Sequence, residues 1–280
     1  MSGKLYIVAT PIGNLADISE RALQILRSVA LIAVEDTRHS GRLLQAYGIS
    51  TPMLAYHDFS EAFRTDALLK KVAEGEDIAL VSDAGTPLIS DPGYQLVRAA
   101  HQRGLVVVPV PGPSAVIAAL SAAGIASDRF SFEGFLPARQ GARLAALNAL
   151  ARENRTMIFY EAPHRILESL EDMVVCFGGE REITLARELT KTFETILHST
   201  LQALLDLVRK DQNQQKGEIV LVLAGYKPTG LEIDESALGI LKVLMEELPL
   251  KQAAALGARI TGLRKSQLYD AGLQLQGKKD

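Results

Sequence analysis

The sequence predicts an α/β fold: two successive α/β layers followed by a small helical appendage. Three observations carry this. Short apolar runs alternate with amphipathic stretches from Lys4 to about Ala224, the rhythm of a mainly parallel sheet with helices on both faces, some antiparallel pairing entering the second layer. The loops at the ends of the early runs are rich in Gly, Pro and Asp, so they should converge on one sheet edge. Beyond Gly225 the strand signal stops and only helical periodicity remains.

In order, Lys4–Ala9 (KLYIVA) reads as a first strand and Thr10–Leu15 as the loop after it. Asp17 or Ser19 caps a helix whose apolar positions Ala22, Leu23, Ile25, Leu26 and Val29 keep helical spacing. Leu31–Val34 is a second strand, ending in Glu35-Asp36-Thr37-Arg38, and helical patterns follow at Ser40–Tyr47 and Glu61–Ala73. The segment Ala79–Gly93, ALVSDAGTPLISDPG, is the most informative. Its run Ile78–Val81 suits a buried parallel strand, and two tight turns follow. A strand that ends in small residues and feeds a helix is where α/β sheets hold ligands. Leu105–Val110 is the next strand, ending in Pro111-Gly112-Pro113-Ser114.

Near Pro111–Pro113 the pattern changes, which divides residues 1–111 from 112–228. Ala115–Gly124 is a helix without a charge, Phe130–Phe135 is strand-like, and Ala138–Glu153 is a helix. A strand at Thr156–Tyr160, a helix at Ile166–Phe177 and strands at Glu182–Ala186 and Phe193–His198 come next, the last two close enough to pair. Helix Leu201–Lys210 and strand Gly217–Ala224 complete the layer. Helices at about Glu235–Glu247, Leu250–Ala258 and Lys265–Leu275 fill the third region, 232–280.

With 280 residues, 48% of them apolar, the chain can bury a sizeable core. Its net charge of −3, from 30 basic and 33 acidic residues, leaves nucleic-acid binding to local patches. A single cysteine, Cys176, excludes a disulfide framework and reads as a core residue. The N-terminus lacks a signal peptide's pattern and no apolar run is long enough for a membrane span, so a soluble, cytoplasmic chain without a membrane partner is expected. No G-x-G-x-x-G, P-loop, H-E-x-x-H, paired C-x-x-C or G-x-S-x-G occurs. Dinucleotide enzymes, P-loop nucleotidases, zinc enzymes and serine hydrolases are unsupported, and no metal is expected. What remains are loops offering backbone amides and short polar side chains. Pro113 at a helix start leaves the amides of Ser114 and Ala115 facing outward, which suits an acceptor such as a carboxylate.

Seven collinear motifs, VATPIGNLADIS, EDTRHS, VSDAGTPLISDPG, VPGPSA, FEGFLP, FYEAPHR and RELTKTFE, resemble the tetrapyrrole-methylase superfamily. Within it they resemble the members that methylate the 2′-oxygen of a cytidine in the decoding region of 16S rRNA. The resemblance implies two α/β domains of the class III methyltransferase type, a homodimer, and S-adenosyl-L-methionine bound between the domains. It assigns to the cofactor Pro11; Ala84, Gly85 and Thr86 with Ile89 downstream; Ser114 and Ala115; and Tyr160 and Ala186. Tetrapyrrole enzymes carry Gly-Asp-Pro where this chain has Gly85-Thr86-Pro87, so Asp83 or Asp91 is expected to supply the missing carboxylate. That departure argues against the alternative of a precorrin-type C-methyltransferase. A non-catalytic ribosome-binding factor is the other alternative.

A ribose hydroxyl needs somewhere to send its proton. Glu188 and Lys191 in RELTK, Asp36 in EDTR, and Glu161 or His164 in EAPHR are the candidates, each with a structural salt bridge as the competing role. For contact with 16S rRNA or the small subunit, basic groups gather at Arg139, Arg143, Arg152 and Arg155. A second group, Lys251, Arg259, Arg264, Lys265, Lys278 and Lys279, lies in the tail.

Overall fold

A computed structural model describes residues 2–56, 61–227 and 235–276. The first sheet is entirely parallel, in the order β3-β2-β4-β1-β5. Its strands are β1 (Lys4–Val8), β2 (Leu31–Val34), β3 (Met53–Ala55), β4 (Ile78–Val81) and β5 (Val106–Val110). Alternation along the strands builds a core on each face. Val8, Ile32, Val34, Ala79, Val81 and Val110 meet Leu23 and Leu26 of α1 (Glu20–Ser28) and Leu44 of α2 (Thr37–Ala46). Leu5, Ala33, Ile78 and Leu80 point the other way, to Leu68, Leu69 and Val72 of α3 (Glu61–Ala73) and Leu96 and Ala100 of α4 (Tyr94–Gln102).

The second sheet, ordered β6-β7-β10-β8-β9, is mixed. β6 (Phe130–Phe135) and β7 (Thr156–Glu161) are parallel, while β8 (Glu182–Arg187), β9 (Thr195–Thr200) and β10 (Ile219–Leu223) enter antiparallel pairs. One face packs Met157, Phe159, Ile183, Leu185, Leu221 and Leu223 against α6 (Gln140–Ala149), α7 (Ile166–Phe177) and α8 (Leu201–Lys210). Cys176 is half-buried at the edge of this core. The opposite face sets Ile158, Ala186, Val220 and Val222 against Val116, Ala119 and Leu120 of α5 (Ala115–Ala122), and Ile12 from the first strand-end loop joins them. That cluster binds the two sheets into one compact unit reaching to Tyr226.

The residues from Lys227 form a second compact unit. Its helices are α9 (Glu235–Glu247), α10 (Leu250–Thr261) and α11 (Lys265–Gln276), closed around Leu241, Ala253, Ala254 and Leu268. Residues 228–234, which include the start of the expected third region, and the basic residues Lys278 and Lys279 lie outside the described residues. Among the described residues, no helix is long and apolar enough to cross a membrane, and no cluster of His, Cys, Asp and Glu could hold a metal ion.

Two elements depart from the periodicity. β3 is only three residues long and carries no strand signal of its own. α2 starts at Thr37 rather than Ser40, because the Asp36 carboxylate accepts the Arg38 N–H at 2.7 Å and caps it.

Candidate active site

Hydrogen bonds tie four strand-end loops into one wall. The Thr10 N–H donates to the Gly85 carbonyl at 2.8 Å and the Gly85 N–H returns to the Thr10 carbonyl at 3.1 Å. The Thr10 hydroxyl donates to the Ser82 carbonyl at 3.2 Å. The Thr86 hydroxyl donates to the Pro113 carbonyl at 3.0 Å, joining the loops after β4 and β5. The Asp36 N–H donates to Asp83 Oδ1 at 3.2 Å, bringing in the loop after β2. Gly85 stands where these bonds cross, at φ +83° with Ile12 Cγ2 only 3.3 Å from where a Cβ would sit.

The wall borders a cleft of about 400 Å³. Ile12, Ala84, Gly85, Thr86, Ile89, Ser90 and Asp91 line one side, with Ser114 and Ala115 from the start of α5. Facing them are Phe135, Tyr160, Glu161, Ala162 and Pro163, then Gly217, Glu218, Ile219 and Val220. The register of β7 against β10, with Ile219 opposite Glu161, places those last two groups side by side. Edge-on contacts hold the Tyr160 ring to Phe132 (4.9 Å between centroids) and Phe135 (5.5 Å). Burial, with the nearby Asp91 and Glu218 charges, pushes the Tyr160 hydroxyl up to about 12, so it stays neutral.

The cleft thus gathers Ala84, Gly85, Thr86, Ile89, Ser114, Ala115 and Tyr160 from the expected cofactor set. Three members lie elsewhere. Pro11 is buried next to Ile12, which takes the lining position. Ala186 is buried on β8 beside Val220, one layer behind the surface. The Asp83 carboxylate holds the Asp36 amide and does not face the cleft. Asp91 is among the lining residues, but its Oδ2 is buried away from the cleft surface, with no hydrogen-bond partner.

The expected proton acceptors are mostly committed. The Asp36 carboxylate caps α2 and pairs with Arg38 at 3.5 Å; the Arg38 amide holds its pKa low. Glu188 and Lys191 form a 2.9 Å ion pair on the rim, where Lys191 also reaches Glu218 at 3.0 Å. Burial works to raise the Glu188 pKa, but hydrogen bonds from the Glu218 amide and Lys191 outweigh it and leave it lowered. For Lys191, burial opposes but the two carboxylates prevail, and the ammonium is held more firmly. Glu161 lines the cleft yet pairs with Arg165 at 2.7 Å and accepts the Ala162 amide and the Ser169 hydroxyl. His164 is exposed on the adjoining turn.

Among the basic residues, Arg143 is a correction. Its side chain is 1% exposed, Nε lies 2.7 Å from Asp172 Oδ2 and Nη2 3.2 Å from Glu168, so it braces α6 against α7 and offers no surface charge. Arg155 is bidentate with Glu153, which neutralises most of its charge. Arg139, Arg152, Arg264 and Lys265 are exposed.

Comparison with known proteins gives the same picture across the whole length. The family described as Tetrapyrrole (Corrin/Porphyrin) Methylases matches residues 4–205, and the family described as RsmI C-terminal HTH domain matches residues 232–276. The chain is 59% identical over 279 residues to the Ribosomal RNA small subunit methyltransferase I of Pseudomonas aeruginosa, covering 99% of each chain. It is 55% identical to the protein of the same name from Escherichia coli O157:H7, over 98% of this chain and 96% of that one. Solved structures share the fold: the uroporphyrin-III-C-methyltransferase of Thermus thermophilus (TM-score 0.56, 19% identity, 79% of this chain and 94% of that one) and the methyltransferase CobJ (TM-score 0.58, 20% identity, 80% and 95%). By its matched motifs, its two sheets and its full-length relatives, the chain belongs to the tetrapyrrole methylase family and groups there with the ribosomal RNA small subunit methyltransferases I.

Proposed function

We propose that this chain transfers a methyl group from S-adenosyl-L-methionine to the 2′-oxygen of a cytidine in the decoding region of 16S rRNA. The observation that carries the reading is the cleft. Five motif segments far apart in sequence line it, and the full-length relatives bear the name of an rRNA methyltransferase. The lining suits that cofactor. Apolar walls of Ile12, Ile89, Ile219 and Val220 fit a nucleoside, and the short residues Ala84, Gly85, Ser114 and Ala115 admit close backbone contact.

Bound there, the cofactor supplies an electrophilic methyl group. The chain's task is positioning, which supplies roughly 7–11 kcal/mol when donor and acceptor are well aligned. Ala84–Thr86, Ser114 and Ala115 hold one partner by backbone and short side chains, while Phe135 and Tyr160 keep water out. Pro11, Asp83 and Ala186 support this lining from behind. The Glu188–Lys191–Glu218 network fixes the rim. Exposed Arg139, Arg152, Arg264 and Lys265 bind phosphates of the small subunit. The reading includes a homodimer, cytoplasmic action where that substrate is found, and a displacement needing no metal. In this reading residues 1–111 and 112–228 are the two α/β domains, and 232–280 is an RNA-contacting appendage.

Calorimetric titration with S-adenosyl-L-methionine, followed by transfer of labelled methyl to small subunits, tests the reading. Stoichiometric binding and a labelled cytidine ribose are expected. Absence of cofactor binding removes it.

A further inference from the structure

The motif FEGFLP gives no residue to the cofactor set, yet it carries the more open of the cleft's two aromatic rings. Phe135 is 55% exposed and lines the wall opposite Ile89 and Ser90. It stands there because β6 is irregular. Phe132 pairs with Ile158 of β7, but Gly134 pairs with the next residue, Phe159, so Glu133 is one residue too many and forms a bulge. Gly134 permits this at φ +68°, a left-handed conformation that glycine adopts freely. Side chains alternate along a strand, so without the bulge Phe135 would lie on the face opposite Phe132. With it, Phe132, Tyr160 and Phe135 share one face, and Leu136 turns into the core behind.

The first wall is built to a matching end. Leu88 (φ 75°) and Ser90 (φ 68°) are both left-handed without being glycine. Leu88 packs into the core of the first sheet, and Ile89 beside it is left 39% exposed in the cleft. Such enforced backbone gathers at functional sites. Each wall therefore uses an irregular backbone to hold one apolar side chain open to solvent. Burying either would be more stable, so their exposure points to an apolar ligand surface. The edge-on contacts from Phe132 through Tyr160 to Phe135 steady the outermost ring while more than half of it stays free. A held, open ring suits a planar partner, and the bases of single-stranded RNA are such partners. Tyr160, in the middle of the row, belongs to the cofactor set. Phe135, one ring further out, is left for the group that receives the methyl.

We propose that Phe135 is a substrate-binding residue whose ring stacks on the pyrimidine base of the target cytidine and so presents its ribose to the methyl donor. This rests on the functional reading above. Every base has a π-face, so the ring supplies grip and orientation, while the choice of nucleotide comes from other contacts. Ile89 adds apolar contact from the other wall.

The test compares Phe135→Ala, Phe135→Leu and Phe135→Tyr in the full chain, with small subunits lacking the methyl group and saturating S-adenosyl-L-methionine. Calorimetric cofactor affinity should stay at the wild-type value in all three. The kcat/KM for small subunits should fall about 5- to 150-fold in Phe135→Ala, the range for losing one stacked base. Phe135→Leu, which keeps apolar bulk without a π-face, should fall nearly as far, and Phe135→Tyr should retain most of the activity. Wild-type transfer in Phe135→Ala overturns the proposal, and so does leucine restoring transfer as well as tyrosine. A loss of cofactor affinity in Phe135→Ala also overturns it and makes the ring part of the cofactor's own pocket. A changed oligomeric state in light scattering does the same, making the ring an interface between copies. Should Phe135→Ala not fold, Phe135→Leu against Phe135→Tyr decides alone. A wild-type chain that binds no cofactor and labels no rRNA refutes the functional reading itself, a result distinct from failure at Phe135.

Discussion

Replacing Arg143 by methionine should destabilise the first unit strongly and leave RNA affinity alone. The guanidinium is 1% exposed and its main partner Asp172 5%, with Nε 2.7 Å from Oδ2. Nη1 donates to the Ala138 carbonyl at 3.2 Å, and Gln140 Nε2 donates to Asp172 Oδ1 at 3.1 Å. Methionine fills much of the volume but leaves the Asp172 carboxylate buried opposite an apolar chain. Breaking a buried pair this way costs about 3–5 kcal/mol. Glu168 is 65% exposed, so its share of the network is only about 0–1 kcal/mol. At about 2–4 °C per kcal/mol for a unit of this size, Tm should fall by about 6–20 °C. Thermal and urea unfolding followed by circular dichroism read the change, with exposed Arg139→Glu as a control near neutrality. Arg143→Met with Asp172→Leu should recover most of the loss, since no charge is then stranded. A stable Arg143→Met that binds small subunits weakly would refute this reasoning and return Arg143 to the RNA surface.

Gly217→Ala should lower cofactor affinity in calorimetry, because φ is +79° and a Cβ there would lie 2.4 Å from the Glu188 carboxylate. The backbone strain alone costs about 1–3 kcal/mol. Tyr160→Phe should bind cofactor nearly normally, whereas Tyr160→Ala removes two edge-on ring pairings worth about 0.5–1.5 kcal/mol each and binds weakly. Hydrogen bonds from Arg155 lower the Glu153 pKa from 4.5 to about 2 in the folded chain. Its stabilisation is therefore complete above 4.5 and lost as pH falls toward 2, so Glu153→Gln and wild type should converge in urea midpoint as the solution is acidified. Arg139→Glu with Arg152→Glu should weaken small-subunit binding and flatten its salt dependence, by about 0.7–0.9 in log–log slope for each phosphate no longer neutralised.

Much of the fold was legible because buried parallel strands must be continuously apolar, and β4 and β7 read that way without any partner in view. β3 escaped because three half-buried residues have no period to detect. The first wall of the cleft was legible too, since glycine, proline and aspartate advertise turns where strands end. The opposite wall was harder. Glu161 and Gly217–Val220 become neighbours only through the antiparallel register of β7 and β10, a pairing some 58 residues apart that local spacing does not encode. Arg143 misled for the same reason. Its neighbours in sequence are exposed arginines, while the carboxylate that buries it is 29 residues away on another helix. The left-handed backbone at Leu88 and Ser90 is likewise a tertiary product, enforced by packing rather than by residue type.

The most direct test of the central claim is mass spectrometry of 16S rRNA. Small subunits from a strain lacking this gene would be incubated with the purified chain and isotopically labelled S-adenosyl-L-methionine, then digested to nucleosides. The account predicts that the label appears in one 2′-O-methylated cytidine of the decoding region, and that this nucleoside is absent before incubation. A label found on a base, or a ribose methyl already present in the deletion strain, would contradict it.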